Sequence, residues 1–418
     1  MKRNFFLAAL VLLIFARTEI EAQFSLGAEF RPRAEYRHGY QTLMSPEDMA
    51  AFFISQRTRL NLNHNQEFFE LGLSLQDVRV WGEVPQLVRT GVNTTLHQAW
   101  AVVRLSEYTS IRAGRQEIIY DDHRIFGNVD WAQQGRSHDA AVVRWSGTND
   151  LVVHAGFAFN QESERLTGTV YNLNNYKTFQ YIWLNKSRDI LQASFLFLNN
   201  GMQENAGNTA FSQTMGGRVL YLPGMFTLSG AAYMQTGRDG TGRSISAYYF
   251  SAELDHRLTG ELNLQAGFEL LSGTDQSDIP DPAYHKNHSF NPLYGTNHKF
   301  NGHMDYFYVG THLNNVGLRD FYAGLLYNQG IWDAGFRVHY FASDALLIDP
   351  GAEGQTMPRY LGTEIDIYWG FNLFYRMALR FGYSHMLASR SMEVLKGGSR
   401  HEINNWAWMM LVLRPEIF

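Results

Sequence analysis

No cysteine occurs among the 418 residues, so neither a disulfide framework nor thiol chemistry is available. Proline is scarce, at 10 against 37 glycines, which favours many strands over a loop-rich globule. A strong charge of either sign is also missing, and a net −5 is too mild to imply a nucleic-acid partner. No apolar run approaches the roughly 20 residues of a membrane helix. The run Phe5–Ala16, behind Lys2 and Arg3, suits a signal-peptide core instead. Cleavage is expected after Ala22, although Ile20 stands where a small residue is preferred. Residues 1–22 are thus expected to be a signal peptide. With no linker or break in composition beyond them, 23–418 reads as one domain.

What is present is alternation. In Phe24–Tyr36 the even positions are Phe24, Leu26, Ala28, Phe30, Pro32, Ala34 and Tyr36. The odd positions are Ser25, Gly27, Glu29, Arg31, Arg33 and Glu35. A period of two puts one set on each face of a strand. A greasy face backed by a ladder of charge, placed after an export signal, suits the lipid and lumen sides of an outer-membrane barrel. A 45% apolar content with slightly negative mean hydropathy fits strands that alternate throughout, and 22 Tyr with 29 Phe fit interfacial girdles. Absent helices do not exclude a membrane for such a chain.

Strands are expected at 24–36, 52–63, 68–76, 95–105, 109–118, 138–146, 150–160, 175–186, 189–199, 212–222, 225–236, 246–257 and 261–272, then at 318–328, 331–342, 359–370, 372–386 and 403–414. Tight turns such as Gly147–Asp150, Pro223–Gly224 and Leu258–Gly260 alternate with long polar connections. Met304–Val309 is ambiguous. Counting it would give 19 strands, whereas single-chain bacterial barrels have even numbers, so 273–317 reads as one long loop partly folded into the lumen. The expectation is an all-β, 18-stranded transmembrane antiparallel barrel in a Gram-negative outer membrane, bathed in lipid and lipopolysaccharide, with both termini periplasmic.

Arg31, Arg33, Arg57 and Arg59 lie on two sequential strands and are expected to face one patch of lumen, where a low-dielectric wall focuses their field on anions. The plainer reading pairs them with acids such as Glu29, Glu35, Glu364 and Asp366. Further lumen candidates are Arg337, Glu364, Asp366, Arg376 and Arg380. Arg124 and Arg136, amid Asp122, Asp130 and Asp139, fall in a segment that can fold inward as a constriction. For His285, His288, His298 and His303, whose intervals match no metal motif, a solvated loop is the simpler account. The same holds for Asp275, Asp278 and Asp281 beside Pro280 and Pro282. No Gly-x-Ser-x-Gly, His-Glu-x-x-His or P-loop occurs, so an outer-membrane hydrolase is the weaker alternative, and no cofactor or metal is expected.

The stretch Ile111–Arg144 resembles the alginate-export porin family, in Gly114, Arg115, Gln116, Asp122, Arg124, Gly127, Trp131, Arg136 and Asp139. Arg31-Pro-Arg33, Arg57-Thr-Arg59, Gln98-Ala99, His298–Gly302 and Leu361–Asp366 look similar to the family's other motifs. His138 stands where an aromatic is usual, and Ala140 where glycine is common. The resemblance implies an 18-stranded barrel whose arginine-rich constriction passes an anionic polysaccharide, and it adds Arg115 and Asp139 to the lining. Periplasmic export proteins would then be partners. Uptake of acidic oligosaccharides or small anions uses the same pore physics and stays open.

Overall fold

The computed structural model describes residues 23–418 except 88–92, 170, 172–174, 205–206, 279–285, 313–314 and 353. The expected signal peptide lies outside the described residues, as do His285, Asp281, Pro280 and Pro282. Eighteen long strands form one closed antiparallel sheet. They are β1 (Gln23–His38), β2 (Ala51–Asn65), β3 (Phe69–Val80), β4 (Thr94–Arg104), β5 (Thr109–Gln116), β6 (His138–Ser146), β7 (Leu151–Phe159), β8 (Tyr176–Arg188) and β9 (Leu191–Gln203). The second half comprises β10 (Thr209–Tyr221), β11 (Phe226–Arg238), β12 (Ser244–Arg257), β13 (Leu262–Leu271), β14 (Leu318–Gln329), β15 (Trp332–Ala342), β16 (Tyr360–Phe374), β17 (Met377–Ala388) and β18 (Asn404–Leu413). β1 closes the ring against β18, from Phe30 opposite Leu413 to His38 opposite Asn405. Closure leaves no sheet edge with unpaired backbone groups.

Alternation sets the facing. In β1, Glu29, Arg31, Arg33 and Glu35 are buried on the lumen side, while Phe24 and Tyr36 are exposed on the outer face. The outer face continues through Phe195, Phe250, Phe336 and Tyr340. Tight turns occupy the end of the barrel that holds Gln23 and Leu413, and the long connections all leave from the other end.

Two of those connections turn inward: the inner loop 117–137 and the longer loop 272–317. Phe126 of the first and Met304 and Tyr306 of the second are fully buried. Met304–Val309 forms no strand. Among the described residues, the long loop joins the β-ladder of the sheet through two residues, Lys286–Asn287, parallel to β12. Backbone hydrogen bonds join the two loops, from Gly127 N–H to the Tyr294 carbonyl (2.8 Å) and from Thr296 N–H to the His123 carbonyl (2.9 Å). Two glycines permit close approach, one between the loops and one between the long loop and the barrel wall. A Cβ on Gly127 would lie 2.3 Å from Thr296 Oγ1. Gly302, at φ +82°, would place one 2.6 Å from the Glu364 carboxylate.

Candidate functional site

The β1–β2 register puts Arg31 directly opposite Arg57, and Glu29 opposite Arg59. Facing guanidinium groups repel unless something neutralises them. The inner loop brings Asp130 between them, 3.4 Å from Arg31 Nη1 and 2.8 Å from Arg57 Nη2. Arg57 also pairs with Glu29 at 2.5 Å, and Arg33 Nε donates to Glu35 at 2.9 Å. Arg31 Nη2 donates to the Asp130 carbonyl (2.8 Å), Arg33 Nη1 to the Trp131 carbonyl (2.7 Å) and Arg59 Nε to Gln76 (2.8 Å). Burial alone would raise the Asp130 carboxyl, but Arg57 and then Arg31 outweigh it and hold it at about 2. The four arginines therefore form a compensated wall that pins the loop.

A second anchor grips the longer loop. Arg124, fully buried, donates to Glu269 at 2.6 Å and to Asn301 at 3.0 Å. Asn301 in turn bridges Glu269 and Asp320, and His339 Nδ1 meets Asp320 at 2.9 Å. Glu364 accepts from the Met304 N–H at 2.8 Å, and Asp366 lies 3.8 Å from His303 Nδ1. Burial pushes the His303 imidazole down to about 4 in spite of Asp366. His298 is buried and His303 half-buried, so the solvated-loop reading of the histidines fails for His298, because the loop enters the barrel instead of leaving it. Arg136 reaches across to the Gly295 carbonyl at 3.0 Å.

Trp131 and His298, one from each loop, stack with ring centroids 4.4 Å apart at 15°. Arg33 covers the tryptophan at 4.0 Å. This pair lines both of two cavities. One, of about 600 Å³, opens toward the long-loop end beside Arg37, Arg79 and Glu83. The other, of about 450 Å³, reaches into the opposite half, beside Arg218, Glu253 and Arg337. The stack is their common partition.

Three of the expected lining residues stand elsewhere. Arg115 and Asp139 pair with each other at 3.0 Å with side chains 40% and 62% exposed. They share the outer face with Ile111, Ala113, Ala141 and Val143, because lumen positions on β5 and β6 are the even ones. Arg376 occupies the tight turn before β17 at φ +63° and pairs with Glu416. Arg380 does face the lumen, near the tight-turn end, 3.2 Å from Asp333. Arg337 also faces it, bonded to Gln265.

Sequence reasoning missed Arg112 and Arg144. Both line a third cavity, of about 340 Å³, roofed by the start of the inner loop and sharing no residue with the other two. Parity could have found them. Arg112 alternates with Gly114 and Gln116, and Arg144 with Val142 and His138.

No curated protein matches the chain. Among solved structures, OpdL of Pseudomonas aeruginosa superposes with a TM-score of 0.64 at 13% identity, covering 95% of this chain and 99% of that one. The BenF-like porin of Pseudomonas fluorescens Pf-5 gives 0.63 at 10% identity, over 95% and 100%. OpdK of Pseudomonas aeruginosa, solved with vanillate, gives 0.57 at 10%, over 94% and 98%. At these identities the likeness is one of fold. The model of the alginate export family matches residues 22–316, short of the 361–366 motif but well over half of the sequence, and the chain belongs to that family.

Proposed function

We propose that this protein is a passive outer-membrane channel for anionic, carboxylate-bearing solutes and not an enzyme. The single observation that carries the reading is the pair of lumen cavities separated by one aromatic stack, inside a barrel whose outer face is apolar. Solute passes when the Trp131–His298 partition separates. An outer face of this kind matches lipid, which supports placement in the outer membrane after removal of the signal peptide.

The charges decide what passes. Along the two main cavities, most arginines already have internal counter-ions: Arg33 has Glu35, and Arg218 has Asp122 at 3.4 Å, while Arg337 meets the neutral amide of Gln265. A carboxylate entering there competes with a resident acid and is released again, as conduction requires. Net positive charge comes from Arg112 and Arg144 together with Arg337, none of which has an acid partner within ion-pairing distance among the described residues. Family membership favours an acidic saccharide as the solute. With the partition separated, the path admits small acids or short oligomers, and a polymer needs the inner loop displaced. A channel of this kind has no built-in direction, so export and uptake follow the solute gradient.

Purified protein in planar bilayers under a potassium chloride gradient tests this reading. Steady conductance with a reversal potential of anionic sign is expected. Cation preference would overturn the anion assignment, and absence of conductance would overturn the channel.

A further inference from the structure

The third cavity is unlike the rest of the lumen. Its walls come from β4 to β8, and its roof from Glu117, Ile118 and Tyr120. Arg112 is placed by β5, and Arg144 by β6 two residues beyond Val142, the register partner of Arg112. The two guanidinium groups are thus diagonal neighbours on one face. Arg112 lies over the Trp100 ring at 3.9 Å and donates only to a neutral amide, Gln98 Oε1, at 3.2 Å. The Nε atoms of both arginines are buried without a hydrogen-bond partner. The nearby carboxylate is already engaged: Glu117 takes His97 Nε2 at 2.8 Å and Asn128 Nδ2 at 3.0 Å.

Two like charges held side by side with buried, unsatisfied donors are costly unless something fills the space between them. The rest of the lining says what shape that something has. Val142 and Ile118 are almost fully buried, and beside them Tyr120 packs against Tyr181 and His154. That wall suits the face of a ring. Gln116 adds one acceptor: its Nε2 donates to the Ala140 and Gly114 carbonyls, which leaves Oε1 buried and unpartnered. The volume falls at the lower end of the roughly 300–1,000 Å³ usual for ligand sites.

We infer that this cavity is a binding site for a single ring-bearing hydroxycarboxylate. Its carboxylate is shared between Arg112 and Arg144, its ring lies against Ile118, Tyr120 and Val142, and a hydroxyl donates to Gln116. A hydroxylated aromatic acid and a monomeric uronate both have this chemistry. The site rests on the channel reading only for its biological use, since binding in detergent requires no conduction.

Full-length protein in detergent micelles, titrated calorimetrically with 4-hydroxybenzoate and separately with galacturonate, tests the inference. At least one acid should bind with one-to-one stoichiometry, and which of them binds identifies the source. The uncharged 4-hydroxybenzamide should not bind. Arg112→Gln and Arg144→Gln should each weaken binding about tenfold or more, the range for a lost charge-assisted hydrogen bond. Arg115→Gln, on the outer face, should leave it unchanged. The acid-against-amide comparison needs only the wild-type chain, so it decides even if a glutamine variant fails to fold. Binding of neither acid, equal binding of the amide, or affinity indifferent to both glutamine variants overturns the site. Conduction without such binding removes the site and keeps the channel, whereas binding without conduction does the reverse.

Discussion

The wall of β1 and β2 and the pocket between β5 and β6 each carry lumen-facing arginines, yet they are electrostatic opposites. On the wall, Arg31, Arg33 and Arg57 are matched by Glu29, Glu35 and Asp130, and every one of them also holds the inner loop. In the pocket, Arg112 and Arg144 meet amides, rings and empty volume. A dense cationic ladder in sequence marked the wall, but density is not net charge. Cations that serve as structural anchors are spent on resident acids. Those left unpaired, at a cost in stability, are the ones available to a solute.

Breaking the wall should have the largest effect. Arg57→Ala takes one charged hydrogen-bond partner from Glu29, which keeps Arg414, and one from Asp130, which keeps Arg31, a loss of about 1.5–3 kcal/mol. Urea unfolding from detergent should show that loss, while Arg144→Gln, which relieves a like-charge pair, is neutral or stabilising. Equal destabilisation by the two would erase the distinction between wall and pocket.

Opening the partition comes next. Trp131→Ala deletes the plate shared by the two main cavities, and single-channel conductance is expected to rise about twofold or more because the constriction widens. Unchanged conductance would place the narrowest point elsewhere.

Acid should separate the two inward loops. A group adds stability that rises with pH wherever the unfolded chain binds more protons than the folded one. His303 lies at about 4 in the folded chain against about 6.5 when free, so its contribution disappears as pH falls from about 6.5 to 4. Asp130 lies at about 2 against about 3.9 when free, so its contribution stays intact above about pH 4 and is lost toward 2. Hydrogen exchange at 296–308 should therefore accelerate by about pH 5, while 128–134 stays protected until about pH 3. Simultaneous release would mean that the two anchors act as one.

The smallest effect belongs to the outer-face pair. Asp139→Asn, one residue from the long-loop end of its strand, should change stability by no more than about 1 kcal/mol, the range for a charge near the interface of a barrel's lipid face, and leave conduction unaltered.

Period-two patterning made the barrel legible almost strand by strand, since each slip of one residue would invert every face. β1, expected at 24–36, runs over Gln23–His38, and the parity argument correctly kept Met304–Val309 out of the sheet. The turn before β17 was placed too early because Asn372–Phe374 continue β16 with residues that look like a new strand, pushing the turn to Tyr375–Arg376. Arg115 was misplaced for a different reason. A family motif outweighed the local alternation of Ile111, Ala113 and Arg115, which on its own puts Arg112 inside. Which charges cancel could not be read along the chain. Arg31 meets Asp130 and Gln133 about a hundred positions away, and that meeting depends on how a loop folds into a closed lumen.

The most direct measurement is the bilayer reversal potential under a salt gradient for three proteins: the parent chain, Arg33→Gln on the wall, and Arg112→Gln/Arg144→Gln in the pocket. The account predicts full anion preference in the first two and a clear reduction in the third. Preference that survives the pocket variant but disappears with Arg33→Gln would contradict it and return selectivity to the wall.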